Sequence, residues 1–235
     1  MPGFAFAVPV LPGKDTHSVA NLMRSRMAEY EESRRQKGIT MERVYEMATP
    51  MGAFVVAYVE ADGGPAAMQA MATSDLPIDR DFRAALQDVH GVDFSQPAGP
   101  PPEVLADWRD PEVRERRAGL AFFAPVLPGR TDAGRAFSRE AFATRRDEFT
   151  ASRRPLRQNV EVVTLNSTPQ GDLVCVYLEG VDPVEANRGF AASQSPYDLW
   201  FKDQLRTIFP PEIDFSQPVP SVQTLWDWHT APVRA

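Results

Sequence analysis

The chain has 235 residues, of which 43% are hydrophobic and 24% are charged, so its composition is that of a globular protein and excludes a disordered or fibrous one. The formal net charge of -7 argues against nucleic-acid and anionic-membrane partners, because both require clustered positive charge. Cys175 is the single cysteine, no apolar run approaches the ~18 residues of a membrane span, and the first residues lack a basic leader. We therefore expect a cytoplasmic protein.

The first half opens with an apolar segment, Phe4 to Leu11, which predicts a short strand. The strand should end at Pro12-Gly13, because proline removes a backbone donor and glycine permits a turn. Asp15 or Thr16 can cap the helix that is expected next. The apolar residues of this helix recur at a spacing of three or four: Val19, Leu22, Met23, Met27 and Tyr30. It should end near Ser33-Arg34-Arg35.

A hairpin is predicted after this helix, with strands from Glu42 to Ala48 and from Ala53 to Glu60 around a tight turn at 49–52. The second of these strands is apolar on both faces, so both faces of the sheet should be covered. Helices are expected around 65–73 and 79–89, and a last strand at 105–108.

The second half of the chain repeats the first in order and spacing. The repeated segments are Pro9–Gly13 and Pro125–Gly129, Ser33–Arg35 and Ser152–Arg154, Thr49–Gly52 and Thr168–Gly171, Tyr58–Glu60 and Tyr177–Glu179, and Asp93–Pro97 and Asp214–Pro218. A repeat of about 115 to 120 residues has the size of a small domain and is far longer than a solenoid unit. We therefore predict one repeat at 1–110, a linker at 111–118 and a second repeat at 119–235.

Each repeat has the order strand, helix, strand, strand, helix, strand, which is the split βαβ or ferredoxin-like pattern. The predicted fold class is therefore α+β, with two tandem ferredoxin-like repeats whose antiparallel sheets pack face to face as a pseudo-two-fold α+β barrel. Such packing would bury the sheet faces that the helices leave open. The chain would then be a monomer with pseudo-two-fold symmetry or a higher homo-oligomer.

In this topology the whole chain resembles the dimeric α+β-barrel superfamily, which includes antibiotic-biosynthesis-type and haem-degrading monooxygenases, chlorite-dismutase-like proteins and muconolactone-isomerase-like proteins. The repeated motifs are also similar to those of a bacterial domain family of unknown function. The resemblance implies a small-molecule pocket between sheet and helices. It also implies cofactor-independent monooxygenase, isomerase or cyclase chemistry on an apolar or aromatic compound.

Metal-binding and nucleotide-binding signatures are not evident in the sequence. The histidines, His17, His90 and His229, lie in different segments without paired ligand spacing, and a single histidine on a helix is usually a surface or cap residue. We find neither a glycine-rich phosphate loop nor a GxSxG elbow. We predict no metal and no cofactor, although haem stays open because the superfamily includes haem-binding proteins.

Polar side chains on the central strands are the candidate ligand-binding residues. In one interpretation the hydroxyls of Tyr58 and Tyr177 close a hydrogen bond at the sheet edge, while Glu60 and Glu179, each last in its strand, emerge into water. In the other they line a pocket between the sheet and the helices. In that case one of two groups should face the cavity: Tyr177 with Thr164 and Asn166, or Tyr58 with Tyr45 and Arg43.

The repeated arginine pairs, Arg34-Arg35 and Arg153-Arg154, have two interpretations. Either they lie at helix C-termini, where cations favourably oppose the helix dipole, or they form an anion clamp for a carboxylated ligand.

Two functional classes remain open at this point. The protein is either a small-molecule-binding enzyme or a non-catalytic binding or structural module whose pockets are filled by side chains. Cavity volume discriminates between the two, because drug-sized ligands need roughly 300 to 1,000 Å³, and a cavity below about 300 Å³ in both halves would favour the second class.

Overall fold

The structure is a computed structural model and describes residues 2–96 and 100–230. In chain order its helices and strands are β1 (Gly3–Pro9), α1 (His17–Ser25), α2 (Met27–Gln36), β2 (Ile39–Thr49), β3 (Gly52–Ala61), α3 (Ala67–Ala72), α4 (Pro77–His90), β4 (Glu103–Arg109), β5 (Ala118–Pro125), α5 (Thr131–Arg139), α6 (Arg146–Arg153), β6 (Gln158–Thr168), β7 (Gly171–Gly180), α7 (Pro183–Ala192), α8 (Pro196–Ile208) and β8 (Val222–His229). In the described ranges no helix is long and apolar enough to cross a membrane.

The chain forms two compact units, unit 1 (Met1–Pro102 with Ser221–Ala235) and unit 2 (Glu103–Pro220). Unit 1 contains an antiparallel sheet of order β1-β3-β2-β8, and unit 2 contains one of order β4-β6-β7-β5. The predicted α+β class with two ferredoxin-like, four-stranded antiparallel sheets is confirmed. The last strand expected at 105–108 is also present, as part of β4, and its counterpart in the second repeat is β8.

These two last strands are exchanged between the repeats. Strand β8, from the end of the second repeat, pairs with β2 of the first, whereas β4, from the end of the first repeat, pairs with β6 of the second. Strand β8 is therefore distant in sequence from the other three strands of its sheet, whereas β4 directly precedes β5 in the chain and lies in the same sheet as β5.

The helix predicted up to Ser33-Arg34-Arg35 is interrupted, which the apolar spacing did not reveal. The backbone of Arg26 leaves the helical region (φ -129°, ψ 41°) and separates α1 from α2. Arg145 takes a similar conformation in unit 2 (φ -103°, ψ 31°), after a π-helical turn at Glu140–Thr144. Both arginines pair with a glutamate three residues ahead, Glu29 or Glu148. The apolar pattern continues across the break, so it cannot distinguish one helix from two.

Both faces of the central strands are buried, as the sequence predicted. On β3, Val59 belongs to the core that packs against the helices, while Tyr58 and Glu60 point to the opposite face and are 0% and 1% exposed. On β7, Val174 and Val176 pack with the helices of unit 2, and Tyr177 lies buried on the opposite face. The lone Cys175 is also buried, and burial raises the pKa of its thiol.

Candidate functional site

Unit 1 contains a cavity of about 100 Å³ between its sheet and its helices, which we call cavity 1. The walls come from β1, β2, β3 and β8 on the sheet side and from α1, α2, α3 and α4 on the helix side. Most of the lining side chains are apolar, among them Phe6, Met23, Val44, Met68, Phe82 and Trp226. The polar residues on the walls are Thr16, Arg34, Glu42, Arg83 and His90.

Aromatic side chains occupy the corresponding region of unit 2. The two repeats align without a gap from Ser33 with Ser152 to Pro77 with Pro196, and this alignment places Phe190 where unit 1 has Met71. Continued along α4 and α8, it places Phe209 where unit 1 has His90. The core of unit 2 is built around a group of aromatic rings: Phe142, Phe149, Phe190, Tyr197, Trp200 and Phe201. The apolar walls of the two units have therefore diverged.

His90 lies on the wall of cavity 1, but the sequence did not identify it as a candidate ligand-binding residue. It is the last residue of α4, directly before Gly91, whose left-handed backbone (φ 68°) ends the helix. The side chain is not on the surface, since it is only 5% exposed. The ring of Phe94 packs edge-on against the imidazole, with 6.1 Å between the two ring centroids. Its Nδ1 lies 2.8 Å from the carbonyl oxygen of Pro9.

The hydrogen bond to Pro9 determines the tautomer of His90. A carbonyl oxygen only accepts, so Nδ1 must carry the proton and donate. Burial lowers the pKa of His90, and the Pro9 carbonyl only partly offsets that effect. The imidazole is therefore neutral at pH 7, and its Nε2 carries a lone pair that can accept a hydrogen bond.

A buried ion cluster lies at one end of cavity 1. Arg34 places Nε 2.7 Å from Oε2 of Glu42 and Nη1 3.4 Å from Oδ1 of Asp79, and it is 1% exposed. The hydroxyl of Tyr30 also donates to Glu42, at 3.0 Å. Burial alone would raise the pKa of Asp79, but hydrogen bonds, the strongest of them from Lys37, outweigh burial and hold it below its ordinary value.

Unit 2 repeats this ion cluster at equivalent positions. Arg153 lies 3.0 Å from Glu161 and 3.2 Å from Asp198, and Ser152 also donates to Asp198. Burial opposes ionisation of Asp198, yet hydrogen bonds led by that of Ser152 lower its pKa. The first arginine of each Ser-Arg-Arg motif is thus paired inside the protein. The proposed anion clamp is wrong for these two arginines, because internal carboxylates already fill it.

The candidate residues of the first repeat lie outside cavity 1. Arg43 sits directly opposite Tyr58 in the paired strands, and Tyr45 shares their face, so the structure does bring these three side chains together. That face is the one opposite to Val44 and Val59, which line cavity 1. The prediction that they face the space between sheet and helices is therefore wrong. Alternation along a strand shows which residues share a face and not which face the helices cover.

Specific polar contacts hold these side chains in place. The Tyr58 hydroxyl donates to Glu60 at 2.7 Å, and Arg43 Nε lies 2.8 Å from Oδ1 of Asp227. The tyrosine does close a hydrogen bond, as one interpretation expected, but not at the sheet edge, because β3 is an inner strand of its sheet. The accompanying expectation that Glu60 emerges into water is wrong, because Glu60 is buried. A ligand-binding role for these residues stays a prediction.

The candidate residues of the second repeat are arranged in the same way. The hydroxyl of Tyr177 donates to the buried Glu179 at 2.8 Å, so the expectation that this glutamate emerges into water is also wrong. Thr164 and Asn166 lie on the same sheet face as Tyr177, opposite to Leu165, which packs into the helix-side core. These side chains therefore do not face the space between sheet and helices either.

Comparison with known proteins identifies the fold. No family model matches the chain, and no curated protein matches it in sequence. The crystal structure of an anthrone oxidase-like protein aligns over 97% of this chain and 91% of its own, with a TM-score of 0.52 at 10% identity. A protein from Lactobacillus acidophilus NCFM, assigned provisionally as a monooxygenase, aligns over 97% of this chain and 94% of its own, with a TM-score of 0.51 at 10% identity. At such identity the likeness shows a shared α+β fold.

Proposed function

We propose that unit 1 binds a small apolar or aromatic molecule in cavity 1. The observation that carries the proposal is a cavity between sheet and helices whose lining is mainly apolar, with a few polar groups on its walls. This is the place where the resemblance to α+β-barrel proteins leads us to expect a ligand. The structural likeness to an anthrone oxidase-like protein supports the fold on which this expectation depends.

The volume of cavity 1 limits the size of the ligand. About 100 Å³ is well below the roughly 300 to 1,000 Å³ of pockets for drug-sized molecules, and this volume favours the non-catalytic class as far as ligands of that size are concerned. The proposal is therefore confined to a smaller ligand. The cavity volume is closer to the ~150 Å³ of an apolar cavity that takes up benzene or xenon. A ligand of about one ring therefore fits best. Methionine side chains are flexible, and Met23, Met68 and Met71 give the walls some capacity to expand.

Unit 2 fits the alternative, non-catalytic class. Its helix-side core is filled by aromatic rings at positions where unit 1 carries smaller or more flexible groups, such as Phe190 against Met71. We propose that unit 2 is a structural module and that ligand binding is confined to unit 1. The two repeats would then differ in role while they share a fold.

The proposal extends to a reaction class. The names of the structural neighbours suggest oxygenation, and a cofactor-independent monooxygenation would consume one dioxygen molecule per substrate. One oxygen atom would enter the product and the other would leave as water, with the substrate supplying the electrons. Compounds that bind in cavity 1 should therefore be assayed for substrate-dependent oxygen uptake.

The binding proposal is tested with toluene as an apolar probe of one-ring size. Titration followed by calorimetry and by NMR should show saturable binding to the unmodified protein. Ala57 lies on a wall of cavity 1, so Ala57→Leu should fill the space and abolish binding. The equivalent change in unit 2, Val176→Leu, enlarges a residue of the other core and should leave binding unchanged. Absence of saturable binding, or equal binding by Ala57→Leu, would overturn the proposal.

A further inference from the structure

We infer that the ligand of cavity 1 carries a hydrogen-bond donor, as a phenol or another hydroxylated single-ring compound does, and that Nε2 of His90 accepts this hydrogen bond. The inference rests on the proposed function and adds the chemical class of the ligand. It identifies His90 as the residue that selects donor-bearing rings over purely apolar rings of the same shape.

The first argument is the fixed role of each ring nitrogen. Nδ1 of His90 donates to Pro9 O at 2.8 Å, so in the neutral ring Nε2 is an acceptor. Within residues 2–96 and 100–230, the imidazole has one hydrogen-bond partner, the carbonyl oxygen of Pro9. The side chain lines cavity 1 and is 5% exposed, so a bound molecule can donate to Nε2 in place of water.

The second argument is that the other polar groups on the walls already have partners. Glu42 accepts from both Arg34 and Tyr30, and the Thr16 hydroxyl donates to a glutamate. Arg83 donates to the carbonyl of Met71 at 2.8 Å and is partly exposed, so water can reach its remaining donors. Among the described residues on these walls, His90 is thus the one that has an acceptor nitrogen left for a ligand.

The third argument is the cost of leaving polar groups unpaired. A hydroxyl that enters an apolar cavity loses its hydrogen bonds to water, and a purely apolar pocket therefore prefers toluene to the equally sized phenol. An acceptor on the wall removes this penalty and satisfies its own lone pair. Unit 2 carries Phe209 at the equivalent position and offers no such acceptor.

The test compares phenol with toluene on the unmodified protein and on His90→Phe, a substitution that copies the second repeat. We expect phenol to bind the unmodified protein at least as tightly as toluene. In His90→Phe, phenol should weaken by about tenfold relative to toluene, which corresponds to about 1.4 kcal/mol.

The outcomes separate this inference from the proposed function. If toluene binds the unmodified protein clearly more tightly than phenol does, the donor-accepting role of His90 is refuted and small-molecule binding stands. If neither compound binds, both proposals fail. The phenol-to-toluene comparison on the unmodified protein decides the question even if His90→Phe does not fold. A shift of the Nε2 resonance of His90 with phenol, absent with toluene, would confirm the contact directly.

Discussion

Replacement of Arg34 by methionine should destabilise the protein far more than replacement of its neighbour Arg35. The Arg34 guanidinium is buried, lies 2.7 Å from Glu42 and stacks 4.2 Å from the centre of the Tyr30 ring. Arg34→Met keeps an apolar side chain of similar length but removes the charge. Glu42 would then stay buried with the hydroxyl of Tyr30 as its hydrogen-bond donor.

The size of the effect follows from the burial of the pair. Removing one partner of a buried ion pair costs about 3 to 5 kcal/mol, because the other charge is left uncompensated. Native proteins are stable by about 5 to 15 kcal/mol, so the variant should lose a large part of its stability. Arg35 is exposed and pairs with Glu32 on the surface, so Arg35→Met should cause no measurable change.

Urea unfolding at pH 7 followed by tryptophan fluorescence measures these differences. Trp226 donates to Tyr30 at 3.0 Å and reports on the cluster, while Trp200 lies in unit 2. Adding Glu42→Leu to Arg34→Met should restore most of the stability, because an apolar replacement of a buried pair is often neutral. A cost below about 1 kcal/mol for the single variant, or no recovery in the double variant, would refute this account of the cluster.

Two further predictions concern acid stability and the sheet. The folded-state pKa of Asp79 is depressed below its ordinary 3.8, so its stabilising contribution is present above that pH and is lost as the pH falls further. Asp79→Asn should therefore reduce stability at pH 7 and make its loss between pH 4 and 2 shallower, as measured by urea unfolding at each pH. Tyr58→Phe removes one hydrogen-bond donor to the buried Glu60 and should cost about 1 to 3 kcal/mol without changing toluene binding. A loss of toluene binding would instead support Tyr58 as a ligand residue.

The fold was largely predictable because periodicity and turn chemistry are local properties. The strands predicted at Glu42 to Ala48 and Ala53 to Glu60 correspond closely to β2 and β3, and the turn predicted at 49–52 joins them. The exchange of the last strands was not predictable. Leu105–Trp108 and Leu225–Trp228 have the same pattern, so either could pair with β2 or with β6, and only the path of the chain in space decides.

The site was less predictable because it depends on which sheet face the helices cover. The sequence placed Tyr58 and Arg43 on one face correctly, yet the cavity lies on the other. Only a comparison of the two repeats could have identified His90 from the sequence. His90 aligns with Phe209, so the same position at the end of a similar helix is polar in unit 1 and apolar in unit 2.

The contrast between the two kinds of buried residue explains how the repeats could diverge. In the ion cluster, Arg34 with Glu42 and Arg153 with Glu161 depend on each other, since loss of either partner leaves a buried charge. Apolar walls are more tolerant, because residues of similar volume can replace one another at modest cost. A change such as Met71 against Phe190 therefore alters the cavity without endangering the fold. Sequence differences between the repeats are therefore tolerated best at apolar wall positions. There the core of one unit can be filled by side chains, while the other unit keeps a cavity.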